Sequence, residues 1–199
     1  DMYQIGSRLE SYARPRTIKS HETFRPQYPR VVYLYRDGRD VAISYHNHQQ
    51  TVSGYRGKFD QFLEAFLQGA VPFGSWHHHI QSWLYRNHDI PFLALKYEKI
   101  FKEPLNTLKT LAEFLKMDAD ENLIKSSIEK SSYRRLQESV RKYSPHYRTG
   151  YRMGVKGGPG KWKTTFTAEQ LELFWSYAGG TMETMGYQKQ ETEVRTAKK

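Results

Sequence analysis

The sequence contains no cysteine. This absence excludes disulfide scaffolds, zinc–thiolate sites and thiol nucleophiles. A lack of disulfides is typical of a reducing compartment, so we expect a cytoplasmic protein, although many secreted proteins also lack disulfides. Long hydrophobic runs are also missing, because no apolar stretch approaches the ~20 residues of a membrane span, and no signal peptide is visible at Asp1. We therefore expect no membrane partner.

What the sequence does contain is enough chain for one folded domain and an excess of positive charge. Its 199 residues, 38% hydrophobic and 26% charged, are typical of a globular domain with a real core. The formal net charge of +10 indicates a polyanionic partner or substrate, such as nucleic acid, an acidic polymer or a multiply phosphorylated nucleotide. Solubility alone is the alternative explanation for this charge.

One stretch, residues 31–44 with the sequence VVYLYRDGRDVAIS, organises the rest of the chain. Its first five residues predict a buried strand of a parallel sheet, and the polar turn after them leads into apolar residues at helical spacing. Asp37 is predicted to cap this helix, with Asp40 in the style of a capping box. A helix that begins at the carboxyl edge of a sheet offers unpaired N–H groups, to which Arg36 and Ser44 add donors. The stretch therefore predicts a phosphate site.

Further elements are predicted on either side of this stretch. Residues 15–21 are expected to form a short strand, and residues 90–97 a continuous apolar strand. A glycine- and lysine-rich loop at 154–163, GVKGGPGKWK, either brings amides and ammonium groups close to a phosphate or is a flexible linker. Helices are predicted at 37–50, 59–67, 74–88, 105–117, 118–131, 166–178 and 181–185. This order predicts an α/β protein, a three-layer domain with a central parallel sheet flanked by helices.

The run His77, His78 and His79 suggests a metal site, but helix geometry argues against it. Neighbouring helical residues point about 100° apart, so three in a row cannot converge on one ion. His46 and His48 fail for the same reason. We therefore expect no metal.

Five stretches carry motifs in a fixed order. Residues 15–21 read PRTIKSH, residues 31–44 are given above, and residues 74–79 read GSWHHH. Residues 157–163 read GGPGKWK and residues 163–172 read KTTFTAEQLE. This set resembles the cytosolic-type sulfotransferases, which move a sulfonate group from 3′-phosphoadenosine-5′-phosphosulfate (PAPS) to an alcohol, phenol or amine. The similarity covers nearly the whole chain, and its motifs are specific in combination.

The resemblance implies a P-loop-like α/β fold, with one sulfotransferase-like domain over residues 1–187 and a charged tail at 188–199. It implies PAPS as donor, 3′-phosphoadenosine-5′-phosphate (PAP) as product, and no metal. His21 would be the general base, and Lys19 would stabilise charge on the transferring group. The remaining implied residues bind the nucleotide, with Arg36, Ser44, Lys156 and Gly157 at the 3′-phosphate and Tyr97, Ser131 and Tyr133 at the adenine.

The chain departs from the family pattern in two places. Val155 stands where the family has the arginine of an Arg-Lys-Gly triplet, which removes one phosphate-binding side chain. Nothing before Pro15 resembles the family's amino-terminal Y-P-K-S-G-T-T-W loop, which cradles the 5′-phosphosulfate. Because Asp1 is also not methionine, we expect the carboxy-terminal three-quarters of such an enzyme, with truncation favoured over natural shortening.

The resemblance also implies partners. It implies a small-molecule alcohol or phenol acceptor, no nucleic acid, and a homodimer through residues 163–172, where Ala168 replaces the usual valine. Two alternative functions stay open. One is a basic nucleic-acid-binding module, which the charge and the 15% aromatic content would suit. The other is a catalytically inactive scaffold on the same fold.

Overall fold

The structure is a computed structural model that describes residues 17–86, 89–132, 134–135, 138 and 158–189. The elements within these residues follow the chain in the order β1 (Val31–Tyr35), α1 (Gly38–Val52), α2 (Phe59–Gln68), α3 (Trp76–Leu84), β2 (Phe92–Lys96), α4 (Tyr97–Lys102), α5 (Pro104–Leu115), α6 (Glu121–Lys130), α7 (Trp162–Thr165) and α8 (Ala168–Thr184).

The two strands form a parallel pair. Their register runs from Val31 opposite Phe92 to Tyr35 opposite Lys96. β1 confirms a strand at 31–35, but the predicted burial is wrong, because only Tyr33 is buried and Leu34 is 62% exposed. β2 confirms the core of the strand predicted at 90–97, although Tyr97 begins α4 instead of ending the strand. Parallel strands bring their carboxyl ends to the same edge of the sheet. The residues that follow β1 and β2 therefore lie side by side.

The strand predicted at residues 15–21 is wrong over the part that the structure describes. Residues 17–25 have no regular secondary structure, and their main chain is bonded to side chains of α3 instead of a neighbouring strand. The Trp83 indole N–H donates to the carbonyl of Glu22 at 3.0 Å, and the Phe24 N–H donates to the Ser82 hydroxyl at 3.2 Å. Helix side chains thus fix this segment.

The start of α1 confirms one half of its predicted cap. The Asp37 side chain accepts the Arg39 N–H at 2.9 Å, as an N-cap does. Asp40 does not complete a capping box, because its carboxylate is bonded to the backbone of a distant loop. Gly38 is required at the first helical position. A Cβ there would lie 2.7 Å from the Trp76 ring, so only glycine lets α1 approach α3 this closely.

The core lies between β1 and helices α1, α2, α3 and α8. Its buried apolar side chains include Tyr33, Ala42, Phe62, Leu63, Phe66, Leu67, Trp76, Ile80, Trp83, Leu171, Phe174, Ala178 and Met182. The predicted helical stripes at 59–67, 74–88, 105–117 and 118–131 correspond to α2, α3, α5 and α6. The two predicted closing helices are instead one helix, α8, which begins with a Thr167 and Gln170 capping box.

Helices packed around a parallel sheet confirm the predicted α/β class. Among the described residues, no helix has the length and apolar character that crossing a membrane requires. The predicted boundary between a domain at 1–187 and a tail at 188–199 stays a prediction.

Candidate functional site

The site is built where β1 and β2 end. Arg36 directly follows β1, and its Nη2 donates to the Asp40 carboxylate at 3.1 Å and to the Gly158 carbonyl at 2.8 Å. Its guanidinium carbon lies 4.5 Å from the centroid of the Tyr97 ring, which directly follows β2. The parallel pairing therefore brings two predicted site residues, Arg36 and Tyr97, into a cation–π contact.

One N–H group of Arg36 has no acceptor among the described residues. Its Nε is buried and has no hydrogen-bond partner among the described residues. A buried N–H without a partner is costly, and a ligand oxygen would satisfy it. A cationic side chain with a spare donor, resting on an aromatic ring, suits a phosphate attached to a flat base.

Asp40 has a role that the sequence did not reveal. Its side chain is 0% exposed. The carboxylate accepts the Gly160 N–H at 2.7 Å and the Trp162 N–H at 3.0 Å, besides the Arg36 bond. Gly160 has φ +86°, a conformation that suits glycine. Asp40 thus fixes the described end of the glycine- and lysine-rich loop against α1.

The helix N-terminus itself is less available to an anion than predicted. The Arg39 N–H is taken by Asp37, and the Asp37 N–H donates to the Glu98 carboxylate at 3.0 Å. Arg39 is 2% exposed and bonds to Asp37 through Nε and Nη2, at 3.0 and 2.8 Å, with its guanidinium 3.5 Å from the Trp162 ring centroid. Its charge is therefore neutralised within the protein, so an anion at this end would depend on side chains such as Arg36.

One face of α1 leads from Arg36 toward His21. Asp40, Ser44 and His48 are each four residues apart and share this face, which spans about 12 Å. Ser44 and His48 are exposed. Partial burial of its imidazole lowers the pKa of His21, and electrostatic interaction with Lys19 and then with His48 lowers it further. Lys19, His21 and His48 thus share one electrostatic neighbourhood at the far end of this face.

His21 is exposed, and its ring lies 5.4 Å from that of Phe73. Its backbone carbonyl is hydrogen-bonded to His79 Nε2 at 3.2 Å. His48 and His79 were not predicted as site residues. Two signals could have found them: the four-residue spacing from Ser44 to His48, and the last position of the GSWHHH motif for His79.

The other predicted nucleotide residues are not joined to this cluster by the structure. Ser131 caps the end of α6 and is exposed, and no hydrogen bond among the described residues connects it to Arg36 or Tyr97. Tyr133, Lys156 and Gly157 lie outside the described residues.

The three consecutive histidines diverge as helix geometry requires. His77 is buried and its Nε2 lies 3.3 Å from the Ser75 hydroxyl, whereas His78 is exposed and His79 contacts Tyr33. In the part of the chain that the structure describes, no group of three or more His, Asp or Glu side chains could hold a metal ion.

Sequence comparison relates the chain to characterised proteins. The profile of the sulfotransferase domain matches residues 2–186. Sulfotransferase 1A1 of Rattus norvegicus is 31% identical over 87% of this chain and 65% of its own length. Sulfotransferase 1A1 of Bos taurus is 31% identical, over 83% and 61%, and sulfotransferase 1B1 of Mus musculus 30% identical, over 83% and 60%. The chain thus spans 60 to 65% of the length of these relatives.

Solved structures show the same fold. Mouse sulfotransferase SULT7A1 complexed with PAP superposes with a TM-score of 0.66 at 24% identity, covering 77% of this chain and 58% of that one. Retinol dehydratase in complex with androsterone and the inactive cofactor PAP has a TM-score of 0.67 at 22% identity, covering 85% and 50%. Another structure of retinol dehydratase contains retinol and PAP. These likenesses confirm the predicted P-loop-like α/β class.

Proposed function

The chain belongs to the sulfotransferase family, and from this premise we propose that it transfers a sulfonate group from PAPS to a hydroxyl or amine of a small acceptor. The observation that carries the proposal is Arg36, whose buried Nε lacks a partner among the described residues while its guanidinium lies against the Tyr97 ring. The PAP complexes of SULT7A1 and of retinol dehydratase support a nucleotide of this kind.

In this proposal Arg36 and Ser44 bind the 3′-phosphate, and Tyr97 lies beside the adenine. The Arg36 Nε would gain a phosphate oxygen as its acceptor, which relieves an unsatisfied buried donor. Lys156 and Gly157 at the phosphate, and Ser131 and Tyr133 at the base, stay predictions that rest on the resemblance alone.

His21 acts as the general base at the other end of the α1 face. Because its pKa is lowered, the imidazole is neutral over a wider pH range and can accept the proton of the acceptor hydroxyl. In the transfer, the acceptor oxygen bonds to sulfur as the bond from sulfur to the phosphate oxygen breaks, which leaves PAP. The Lys19 ammonium stabilises the negative charge of the sulfonate oxygens.

Calorimetric titration with PAP tests the nucleotide site. We expect PAP to bind, Arg36→Ala to abolish binding, and 5′-AMP, which lacks the 3′-phosphate, to bind far more weakly. Arg30→Ala is the matched control. Arg30 precedes β1 and Arg36 follows it, about 20 Å apart along the strand, and both variants lose one positive charge. Equal affinity for PAP in the two variants would contradict the proposal.

The class of acceptor, the homodimer and the cytoplasmic location are also proposals. Androsterone and retinol in the retinol dehydratase structures support a small hydroxyl-bearing acceptor. A homodimer would use residues 163–172, of which Lys163, Thr167, Ala168 and Glu172 are exposed. The cytoplasmic location and the single domain over residues 1–187 also stay predictions.

A further inference from the structure

The proposed base lies on a segment that lacks regular secondary structure. Residues 17–25 are neither helix nor strand, so no ladder of backbone hydrogen bonds fixes the direction of His21. Side chains of α3 do this instead. His79 Nε2 bonds to the carbonyl of His21 at 3.2 Å, and Trp83 Nε1 donates to the carbonyl of Glu22 at 3.0 Å.

His79 is in turn held by a buried tyrosine of β1. The Tyr33 hydroxyl lies 2.9 Å from His79 Nδ1, and the two rings stack with centroids 5.8 Å apart. Tyr33 is 8% exposed and packs against Trp83 in the core. The imidazole of His79 therefore connects the rigid sheet to the main chain at His21.

The hydrogen bonds determine the tautomer of His79. A carbonyl oxygen only accepts, so Nε2 carries the hydrogen in its bond to His21. Burial lowers the pKa of His79 and raises that of Tyr33. The imidazole is then neutral, its Nδ1 has a lone pair, and the Tyr33 O–H donates to it. In this series of hydrogen bonds, from Tyr33 through His79 to the His21 carbonyl, each donor meets an acceptor.

We propose that His79, oriented by Tyr33, is a positioning residue that holds the main chain of His21 so that its imidazole meets the acceptor hydroxyl. This inference rests on the proposed function, since it gives His79 a role through the proposed base. Its role is distinct from nucleotide binding, because Arg36 and Tyr97 lie at the carboxyl ends of the strands and make no hydrogen bond with His79 among the described residues.

Steady-state kinetics with PAPS and a phenol acceptor tests the inference. His79→Ala is expected to lower kcat by about 10- to 100-fold, because misplacing a catalytic group by about 1 Å has effects of this size. The affinity for PAP should stay unchanged. His79→Gln should restore most of kcat, since its amide can donate to a carbonyl and accept from a hydroxyl. His78→Ala is the matched control, because His78 is the adjacent histidine and is exposed.

A double-mutant cycle tests the part played by Tyr33. Tyr33→Phe keeps the buried ring and removes only the hydroxyl, so kcat should fall less than in His79→Ala. In the His79→Ala background the same change should have no further effect on kcat. Independent effects of the two substitutions would contradict the connection between these residues.

Nuclear magnetic resonance of the nucleotide-free protein gives a readout that does not depend on turnover. The ¹⁵N shifts of His79 should show a protonated Nε2 and an unprotonated Nδ1, and Tyr33→Phe should move the Nδ1 resonance. The opposite tautomer would overturn the inference.

The remaining outcomes separate this inference from the proposed function. If His21→Ala abolishes turnover and His79→Ala leaves kcat unchanged, the base stands and the positioning role is wrong. A parallel loss of kcat and PAP affinity in His79→Ala and His79→Gln would show a general structural role instead. If His21→Ala leaves turnover unchanged, the proposed base is wrong, and this inference with it.

Discussion

The Asp40 carboxylate is buried completely, yet two backbone N–H groups and one guanidinium donate to it. Burying a charge is unfavourable unless its partners replace the hydrogen bonds of water. The partners of Asp40 come from its own helix end and from a loop 120 residues further along the chain. A single side chain therefore joins the Arg36 end of the site to the loop that carries Lys156 and Gly157.

Asp40→Ala is expected to destabilise the fold by about 3 kcal/mol, because it removes the acceptor of two backbone N–H groups and one of the acceptors of the partly buried Arg36 guanidinium. PAP affinity should fall as well, since the loop loses its attachment. Urea unfolding and calorimetric titration measure the two effects. Glu121→Ala is the control, because this exposed carboxylate contacts Lys109 and Lys125 at the surface and should matter little. Equal losses in both variants would contradict the prediction.

His77 should make the fold sensitive to acid. Burial, followed by the neighbouring His78, lowers the pKa of His77 from 6.5 to about 4. The unfolded chain then binds a proton that the folded one does not, so stability is complete above pH 6.5 and decreases as the pH falls toward 4. His77→Asn should remove a decrease on the order of 2 kcal/mol in the free energy of unfolding across this window. His78→Asn should leave the slope unchanged, and a slope that survives His77→Asn would count against the assignment.

At the scale of elements, local signals were sufficient for β1, α1 and the Asp37 cap, because apolar spacing and capping act within a few residues. Two predictions failed, the first of them where distant partners decide. The segment at 15–21 has the composition of a strand, but in its described part the main chain of His21 is bonded to the His79 side chain of α3, as Glu22 and Phe24 just after it are to Trp83 and Ser82. The two predicted closing helices are one helix, α8, in which the pair Gly179 and Gly180 does not interrupt the helix.

The contacts of the candidate site likewise fall into those that local sequence signals predict and those that they do not. The meeting of Arg36 and Tyr97 could be anticipated, since both follow strands that a parallel sheet aligns. The contacts of Asp40 with Gly160 and of His79 with His21 could not, because they join segments far apart in sequence through single hydrogen bonds.

The approach of α1 to α3 gives a prediction for Gly38. Gly38→Ala is expected to destabilise the protein by about 1–3 kcal/mol, because the new methyl group would lie 2.7 Å from the Trp76 ring and 2.8 Å from that of Phe174. Gly180→Ala is the matched control within α8, where nothing lies within 4 Å of the added carbon, and it should be neutral or stabilising by about 0.5–1 kcal/mol. Thermal unfolding measures both, and similar midpoints for the two variants would disprove the close approach.

At the scale of the whole molecule, the net charge of +10 attracts any polyanion, whereas the proposed site would distinguish one. A general electrostatic attraction depends on total charge and is weakened by salt. Recognition of a 3′-phosphate depends on where particular donors point. The nucleic-acid-binding alternative and the sulfotransferase proposal therefore make different predictions for two arginines.

Binding of a long random oligonucleotide is expected to weaken steeply between about 50 and about 200 mM salt, as nonspecific phosphate contacts do. Arg36→Ala and Arg30→Ala should weaken it equally, because each removes one charge. Fluorescence anisotropy with a labelled oligonucleotide measures this. An oligonucleotide that binds tightly at the higher salt, and loses affinity only in Arg36→Ala, would favour the nucleic-acid-binding module.

The burial of Trp162 has a consequence for the fluorescence of the protein. Its indole is 3% exposed beneath the Arg39 guanidinium, and its backbone N–H is bonded to Asp40 at the end of the glycine- and lysine-rich loop. Indole emission shifts to longer wavelength when the ring becomes hydrated. Detachment of the loop would therefore shift the intrinsic fluorescence emission of the protein to longer wavelength. The difference between the emission spectra of the protein and of Trp162→Phe would report on the loop in solution without an added dye.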